Sequence, residues 1–136
     1  MAPRDRVPAI ASLEAAPFSK ILGLRVEAAD AGAATVRMPF ALELLNDGGP
    51  DVPIHGGAIA ALADFAACAA IWTMPVTQRS ATIAMTVNYI APGVRCDLVA
   101  RARVRGAGRR VASIAVEIHD ARGALVADAL VTYKIA

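Results

Sequence analysis

The fold is decided by the stretch from Ile54 to Trp72, which reads IHGGAIAALADFAACAAIW. Apolar residues fill nearly every position after the Gly-Gly pair, so the stretch predicts one long helix that is buried around most of its circumference. Pro75 is expected to close this helix. Asp64 is the only Asp, Glu, Lys or Arg between Val52 and Gln78. A carboxylate in such a helix is costly unless it is paired, hydrogen-bonded or neutralised, and catalysis is one function that would retain it.

The composition of the chain narrows the classes of protein to which it can belong. Its 136 residues suit a single domain, which we place at residues 1–136. The net charge of +2 is too small to indicate nucleic-acid binding. Although 57 % of the residues are hydrophobic, the one stretch long enough to span a membrane carries Asp64 at its middle, which is expensive in lipid. We therefore expect a helix buried in a soluble protein, with neither nucleic acid nor membrane as a partner.

The cysteines, the histidines and the first residues give further expectations. Cys68 and Cys96 are too few for a disulfide framework, so reduced core thiols are predicted. His55 and His119 are the only histidines, and no Cys/His spacing fits a zinc site. The charged, Pro-containing residues 1–10 lack the apolar core of a signal peptide and are predicted to be disordered, which makes the cytoplasm the expected location.

Outside the long helix, the patterns are mostly those of β-strands. Ser12 to Leu22 predicts a short helix with Ser12 as N-cap and Gly23 as its stop. Alternating residues predict a hairpin over residues 24–38, and residues 41–53 are a loop by composition. Four more strands are predicted after the long helix, over residues 82–90, 96–105, 110–119 and 125–134.

This order of elements predicts an α+β fold in two layers, with one long helix against a largely antiparallel sheet. A single sheet face cannot cover a helix that is apolar on most sides. The sheet must therefore curl around the helix, or a second subunit must cover the other side. We expect both a wrapped helix and a dimer.

The start of the long helix is suited to binding a developing negative charge. The first N–H groups of a helix lack internal partners, and the helix dipole adds partial positive charge there. Gly56 and Gly57 let a ligand atom approach these groups, as oxyanion stabilisation requires. Asp64 lies two turns further along, about 10 Å away, which is too far to act on the same carbonyl. The two features can act together if a two-fold axis brings Asp64 of one subunit to Gly57 of the partner subunit, which predicts a site at a dimer interface.

Two segments of the chain resemble those of a known protein family. His55-Gly56-Gly57, followed by Leu62 and by Asp64 nine residues after the histidine, is similar to the His-Gly-Gly motif of PaaI-like hotdog-fold acyl-CoA thioesterases. Residues 82–93, TIAMTVNYIAPG, resemble that family's next strand and its proline turn. The predicted order of elements fits the family over roughly residues 12–134.

The resemblance implies a hotdog fold, in which an antiparallel β-sheet wraps around one long central α-helix and two protomers pair to form two active sites. It implies an acyl-CoA substrate, with coenzyme A as part of the substrate and no other cofactor. Asp64 would act as general base or nucleophile on the thioester, and the Gly57 N–H would polarise its carbonyl. His55 and Gly56 would shape the substrate site, and the Thr82 hydroxyl would help to orient water or the carboxylate.

One departure from the family's pattern concerns an asparagine. Members often carry Asn about six residues before the histidine, in contact with the thioester or the water, and here that position is Gly49. Asn46, nine residues before the histidine, is the candidate replacement, displaced by what looks like a local insertion at residues 48–51. Asp47 and Asp51 are rival candidates that also suit turn positions.

Each of these residues also has a purely structural interpretation. Asp64 can be a structural carboxylate held by a neighbouring strand, and His55 a helix-entry residue. The Gly pair can allow close helix–sheet packing, and Thr82 can be an ordinary strand residue. A row of arginines can bind CoA phosphates through forked donors or form a solvated face. These are Arg101, Arg103, Arg105, Arg109 and Arg110.

Three functions agree with these patterns. The first is hydrolysis of an acyl-CoA to the free acid and CoA. The second is a hydroxyacyl-thioester dehydratase or hydratase, which can share the fold but pairs a His with an acid at other spacings. The third is a non-catalytic acyl-CoA-binding module. The acyl-chain specificity, and the choice between a homodimer and a homotetramer built as a dimer of dimers, are left open by the sequence.

Overall fold

The computed structural model describes residues 7–75 and 80–135, which form one antiparallel sheet with a long helix packed on it. The helices are α1 (Val7–Ala15), α2 (Pro17–Leu22) and α3 (Gly56–Ile71). The strands are β1 (Arg25–Asp30), β2 (Ala33–Met38), β3 (Ala81–Tyr89), β4 (Leu98–Ala107), β5 (Val111–His119) and β6 (Leu125–Lys134). Their order across the sheet is β1-β2-β4-β5-β6-β3, and every neighbouring pair is antiparallel. The predicted architecture is confirmed.

The core lies between α3 and the inner face of the sheet. The helix begins at Gly56, as predicted, and ends at Ile71 with Trp72 as its C-cap. Alternate strand residues are buried beneath it, which confirms the predicted alternation; they include Ala34, Val36, Met38, Leu98, Ala100, Ala102, Ala112, Ile114, Val116 and Ile118. In the described part of the chain, we find no helix with the length and apolar character that a membrane crossing requires.

The C-terminal end of α3 is anchored by Thr73. Its hydroxyl donates to the Ala70 carbonyl at 2.7 Å and accepts the main-chain N–H of Gly32, also at 2.7 Å. Gly32 has a φ of +79°, and a Cβ there would meet the Met74 sulfur at 3.3 Å. The turn between β1 and β2 therefore packs directly on the helix end, which fixes the position of α3 along the sheet.

Burial around α3 is less complete than the sequence predicts. The side toward the sheet is buried at Ile59, Leu62, Ala63, Ala66, Ala67, Ala69, Ala70 and Ile71. On the other side, residues three or four apart stay partly or fully exposed; we name them the open stripe, which comprises Gly57, Ala61, Asp64, Cys68 and Trp72. Asp64 is therefore half-buried rather than buried as predicted. The reason is that the sheet of one chain covers only one side of the helix.

The first residues form two helices where one was predicted. Ser12 lies inside α1, so its prediction as the N-cap is wrong. The break falls at Ala16, whose ψ of 141° is extended, because Pro17 disfavours helical backbone at the residue before it. Gly23 ends α2 as predicted, with a left-handed φ of 68°.

Other boundaries differ from the predictions by one or two residues, as is usual at the ends of elements. β4 covers Leu98–Ala107 rather than residues 96–105, while β6 matches its predicted range. Residues 7–10, which were predicted to be disordered, belong to α1. Residues 1–6 lie outside the described part of the chain.

Replacement of Leu62 by Ala tests how much the helix–sheet core stabilises the fold. Leu62 is 0 % exposed, so Leu62→Ala should lower the free energy of unfolding by about 2–5 kcal/mol through lost burial and a residual cavity. Leu42 is 64 % exposed, so the matched change Leu42→Ala should stay within about 0.5 kcal/mol of wild type. Urea unfolding at one protein concentration measures both. Equal losses in the two variants would contradict this account of the core.

Candidate active site

The carboxylate of Asp64 is held by two hydroxyl groups from neighbouring strands. Thr82 of β3 donates to Asp64 Oδ1 at 2.6 Å, and Tyr133 of β6 donates to the same oxygen at 3.1 Å. The Tyr133 hydroxyl also lies 3.2 Å from the main-chain carbonyl oxygen of Asp64. Within residues 7–75 and 80–135, no donor is bonded to Oδ2. One oxygen is thus fixed, and the other is open to a reaction partner.

Thr82 reaches Asp64 because β3 contains an irregularity. Met85 and Val87 pack against the core, so strict alternation would turn Ile83 inward and Thr82 outward. The register between β3 and β6 shifts between Thr82 and Ala84, which indicates a bulge at Ile83. The extra residue reverses the alternation before it. As a result, Ile83 is 57 % exposed and the Thr82 hydroxyl reaches Asp64 on α3. The contact expected from the family resemblance is therefore present, through a bulge that the sequence pattern does not reveal.

Tyr133 is a residue of this cluster that the sequence analysis missed. It lies opposite Thr82 in the register of β3 and β6 and is only 3 % exposed. Burial raises the pKa of the Tyr133 phenol well above its usual value, so the hydroxyl remains a neutral donor at physiological pH. The sequence contains an indication of this role. Tyr133 lies on the core-facing side of β6 beside aliphatic residues, and a buried tyrosine hydroxyl needs a hydrogen-bond partner.

Cys68 adjoins the same cluster, one helical turn after Asp64. Both cysteines are free, as predicted. Burial, with a smaller contribution from the charge of Asp64, raises the pKa of the Cys68 thiol to about 11. Cys68 is therefore a neutral thiol at physiological pH and a poor nucleophile.

The first turn of α3 is capped by the side chain of His55. His55 is the N-cap, and its Nδ1 accepts the Gly57 N–H at 2.8 Å. The N–H that the family resemblance assigns to the thioester carbonyl is thus already bonded within this chain. Of the two interpretations of His55, the contact favours the helix-entry role.

A cleft of about 360 Å³ opens beside the first turn of α3. The Tyr89 hydroxyl donates to the Gly56 carbonyl at 2.8 Å and its ring lies over this glycine, where a Cβ would meet the ring at 3.3 Å. The cleft is lined by Asn46, Pro53, Ile54, Gly56, Ile59, Tyr89, Ile90, Ala91, Pro92 and Gly93, none of which is charged. Asn46 and Gly56, predicted to bind substrate, therefore share one largely apolar cleft.

The predicted site residues fall into two groups in a single chain. Asp64 and Thr82 are joined with Tyr133, whereas the start of α3 and the cleft form the second group. The groups are separated by about two helical turns, roughly 10 Å. Among the described residues, no three His, Cys, Asp or Glu side chains are placed to hold a metal ion.

The loop before α3 explains why the family's asparagine position is a glycine. A Cβ at Gly49 would lie 2.9 Å from Val52 Cγ2, so a side chain there would require Val52 to shift. Asp47 accepts the Gly49 N–H at 2.7 Å and acts as a turn residue. Asp51 is exposed. Asn46 is thus the polar loop residue that reaches the cleft.

The arginine row of β4 is not brought to either group. Arg101, Arg103 and Arg105 are exposed and alternate with buried Ala100 and Ala102. They therefore project from the face of the sheet opposite α3 and Asp64. Within one chain, this arrangement favours a solvated face over a role at the candidate site.

Comparison with known proteins shows a matching family and several relatives. The family model described as "Thioesterase superfamily" matches residues 54–127. A medium/long-chain acyl-CoA thioesterase of Salmonella typhimurium is 26 % identical over 133 residues, covering 88 % of this chain and 85 % of the relative. A protein of Halobacterium salinarum named "Putative esterase" is 38 % identical over 93 residues. That match covers 66 % of this chain and 61 % of the relative, so the chain spans less than two thirds of its length.

The fold also has close structural counterparts. The PaaI protein from the phenylacetic acid degradation operon of E. coli has a TM-score of 0.83 at 26 % identity. The match covers 100 % of this chain and 96 % of that one. Together with the family model, this likeness confirms the predicted hotdog fold.

The raised pKa of Cys68 predicts how stability depends on pH. The thiol ionises near pH 8.5 in an unfolded chain but at about 11 in the folded one, so only the unfolded chain loses this proton as pH rises between the two values. The free energy of unfolding should therefore fall from about pH 8.5 to 11, and Cys68→Ala should make that fall shallower. Urea unfolding across this range measures the slope. An unchanged slope in the variant would contradict the assignment.

Proposed function

Because the chain belongs to the thioesterase superfamily, we propose that it is an acyl-CoA thioesterase, which hydrolyses a thioester to the free acid and coenzyme A. The observation that carries the proposal is the Asp64 carboxylate, fixed at Oδ1 by Thr82 and Tyr133 and open at Oδ2. Because one oxygen is held by protein donors and the other lies on the open stripe, the carboxylate is oriented to act on a bound molecule. The relative from Salmonella typhimurium, named as an acyl-CoA thioesterase, supports the choice of substrate class.

In this proposal, Oδ2 of Asp64 is the reactive oxygen. As a general base it takes a proton from a water molecule while the water oxygen bonds to the thioester carbonyl carbon. As a nucleophile it bonds to that carbon itself, and water then hydrolyses the acyl-enzyme. In either route the carbon–sulfur bond breaks and CoA leaves. The water oxygen stays on the acid and the proton removed from that water goes to the CoA thiolate, so the products are the free acid and the CoA thiol. Thr82 and Tyr133 are positioning residues, since their hydroxyls hold the carboxylate in one orientation.

The N-terminus of α3 is the proposed oxyanion site. Gly57 N–H is bonded to His55 Nδ1, so the thioester oxygen would take the place of this nitrogen when substrate binds. The helix dipole favours the exchange as negative charge develops on the oxygen. His55 would then shape the site and keep the N–H oriented between turnovers, while Gly56 and Asn46 contact the substrate from the cleft.

The proposed active site lies between two protomers. Gly57 and Asp64 are about 10 Å apart on one helix, which is too far for a single carbonyl. The open stripe is not covered within one chain. β3 is an edge strand of the sheet: it pairs with β6 on one side, and no described strand pairs with its other side. Ile83, Tyr89 and Ile90, on or beside this edge, are exposed apolar residues. A two-fold pairing of β3 with its copy would cover both features and bring Asp64 toward Gly57 of the partner subunit.

The dehydratase alternative finds less support. Such an enzyme needs a histidine paired with an acid, whereas His55 Nδ1 is bonded to a main-chain N–H. The hydrolytic proposal also needs no cofactor beyond the coenzyme A of the substrate.

Asp64→Asn tests the proposed reaction directly. Asparagine still accepts the two hydroxyl bonds but cannot take a proton or attack, so acyl-CoA hydrolysis should fall by about 100- to 10,000-fold. Asp51→Asn, a matched change in the exposed loop, should leave the rate unchanged. A thiol-detecting assay over short, long and aryl acyl-CoAs measures both. Hydrolysis by Asp64→Asn within a fewfold of wild type would refute the mechanism, while binding without turnover by the wild type would favour the non-catalytic module.

Mixed dimers test whether two protomers share the site. Gly57→Pro removes the proposed N–H donor at a first-turn position, where proline is tolerated in a helix. Each variant alone should be inactive, but a dimer of Asp64→Asn with Gly57→Pro contains one complete site. Random pairing makes half of the dimers mixed, with one of two sites intact, so co-expression should restore about a quarter of wild-type activity.

The same experiment has a clear negative result. If co-expressed chains are no more active than the single variants, the site lies within one protomer. Circular dichroism and gel filtration of Gly57→Pro provide the control that the variant folds and pairs like the wild type.

A further inference from the structure

The loop that carries Asn46 is closed at its base by main-chain pairing. The Asn46 N–H donates to the Pro53 carbonyl at 3.2 Å, and Leu45 forms an antiparallel bridge with Ile54. Asn46 lines the cleft, and its side chain makes no hydrogen bond among the described residues. Its direction therefore depends on the loop backbone alone.

Arg95 binds the far end of this loop. Its Nε donates to the Pro50 carbonyl at 2.7 Å, and its second terminal nitrogen donates to the Gly49 carbonyl at 3.2 Å. Hydrogen bonds from a charged guanidinium are stronger than those between neutral groups. The forked geometry of arginine suits two adjacent carbonyls, which a lysine could not engage in the same way.

The backbone of Arg95 is itself unusual. Its φ of +44° lies in the left-handed region, which is costly for a residue other than glycine. Such strain persists only where the surrounding contacts impose it, and it concentrates at functional sites. Here the turn directs the exposed side chain across the loop, where its guanidinium contacts two main-chain carbonyls.

Arg95 also lies close in sequence to residues that line the cleft. It follows the turn of Ala91, Pro92 and Gly93, all of which line the cleft. The same turn is tied to the base of the loop, because the Ile54 N–H donates to the Gly93 carbonyl at 2.8 Å. The guanidinium thus joins the tip of the Asn46 loop to the segment that follows this turn.

We propose that Arg95 is a positioning residue, which clamps the loop at Gly49 and Pro50 so that the Asn46 amide points into the cleft. The inference rests on the proposed function, in which Asn46 contacts the thioester or the attacking water. It accounts for the departure of this chain from its family's pattern. Gly48 and Gly49 give the loop tip a large conformational freedom, and the two Arg95 hydrogen bonds restrict it.

A double-mutant cycle tests the clamp. Asn46→Ala should lower kcat/KM by roughly tenfold or more, as expected for the loss of one polar contact. Arg95→Ala should cause a similar loss, yet it should add little in the Asn46→Ala background, because the clamp acts through that side chain. Arg122→Ala, which removes another exposed arginine from a turn, is the matched control and should match wild type. Additive losses from Arg95→Ala and Asn46→Ala would overturn the proposal.

Hydrogen exchange gives a readout that does not depend on turnover. Peptides that cover residues 45–54 should exchange faster in Arg95→Ala than in wild type, while peptides from β5 should not change. Unchanged exchange in the loop would overturn the clamp even if activity falls. Arg95→Gly is the second variant if Arg95→Ala folds poorly, since glycine adopts the left-handed φ without strain.

The two proposals can fail separately. If the wild type hydrolyses no acyl-CoA, the proposed function is wrong and the role of Arg95 falls with it. If the wild type and Arg122→Ala are active and Arg95→Ala equals them, the thioesterase stands and only the clamp is refuted.

Discussion

The packing of an alanine-rich helix on one face of an antiparallel sheet is the constraint on which the rest of this structure depends. Small side chains let α3 lie close to the strands, and the Thr73 contact with the β1–β2 turn fixes its position along them. A single sheet covers one side of a helix, so the open stripe stays partly exposed. Asp64 lies on that stripe. The carboxylate therefore avoids the full cost of burial and stays accessible, while strands at the edge of the sheet can still reach it.

The polar cluster around Asp64 follows from this position. Tyr133 comes from β6 and Thr82 from β3, so the carboxylate links α3 to two strands at one edge of the sheet. Both hydroxyls converge on Oδ1, and burial keeps the Tyr133 phenol protonated. Hydrogen bonding among the described residues is thus concentrated on one carboxylate oxygen, which is the arrangement that the proposed reaction requires.

The start of α3 is the proposed binding site for the thioester oxygen. Its N–H groups are arranged for an anion, but His55 occupies the donor at Gly57. His55 thus satisfies one of the N–H groups that a helix start leaves without a helical partner. The adjacent cleft is uncharged, and Asn46 supplies an amide at its edge. In the proposed dimer these features would meet the Asp64 cluster of a second protomer, so that neither chain holds a complete site by itself.

The sequence by itself determined the features that depend on neighbouring residues. A long apolar stretch after the Gly56-Gly57 pair marked α3, alternation marked the strands, and an isolated carboxylate marked Asp64. These patterns are local, and most of the predicted elements are present. Only the tertiary structure decided which residues meet across the fold. The strand order, the bulge that turns Thr82 inward and the hydroxyl of Tyr133 on Asp64 depend on the pairing of distant strands. Contacts between residues far apart in the chain leave no periodic signal, because they arise from register and packing rather than from local composition.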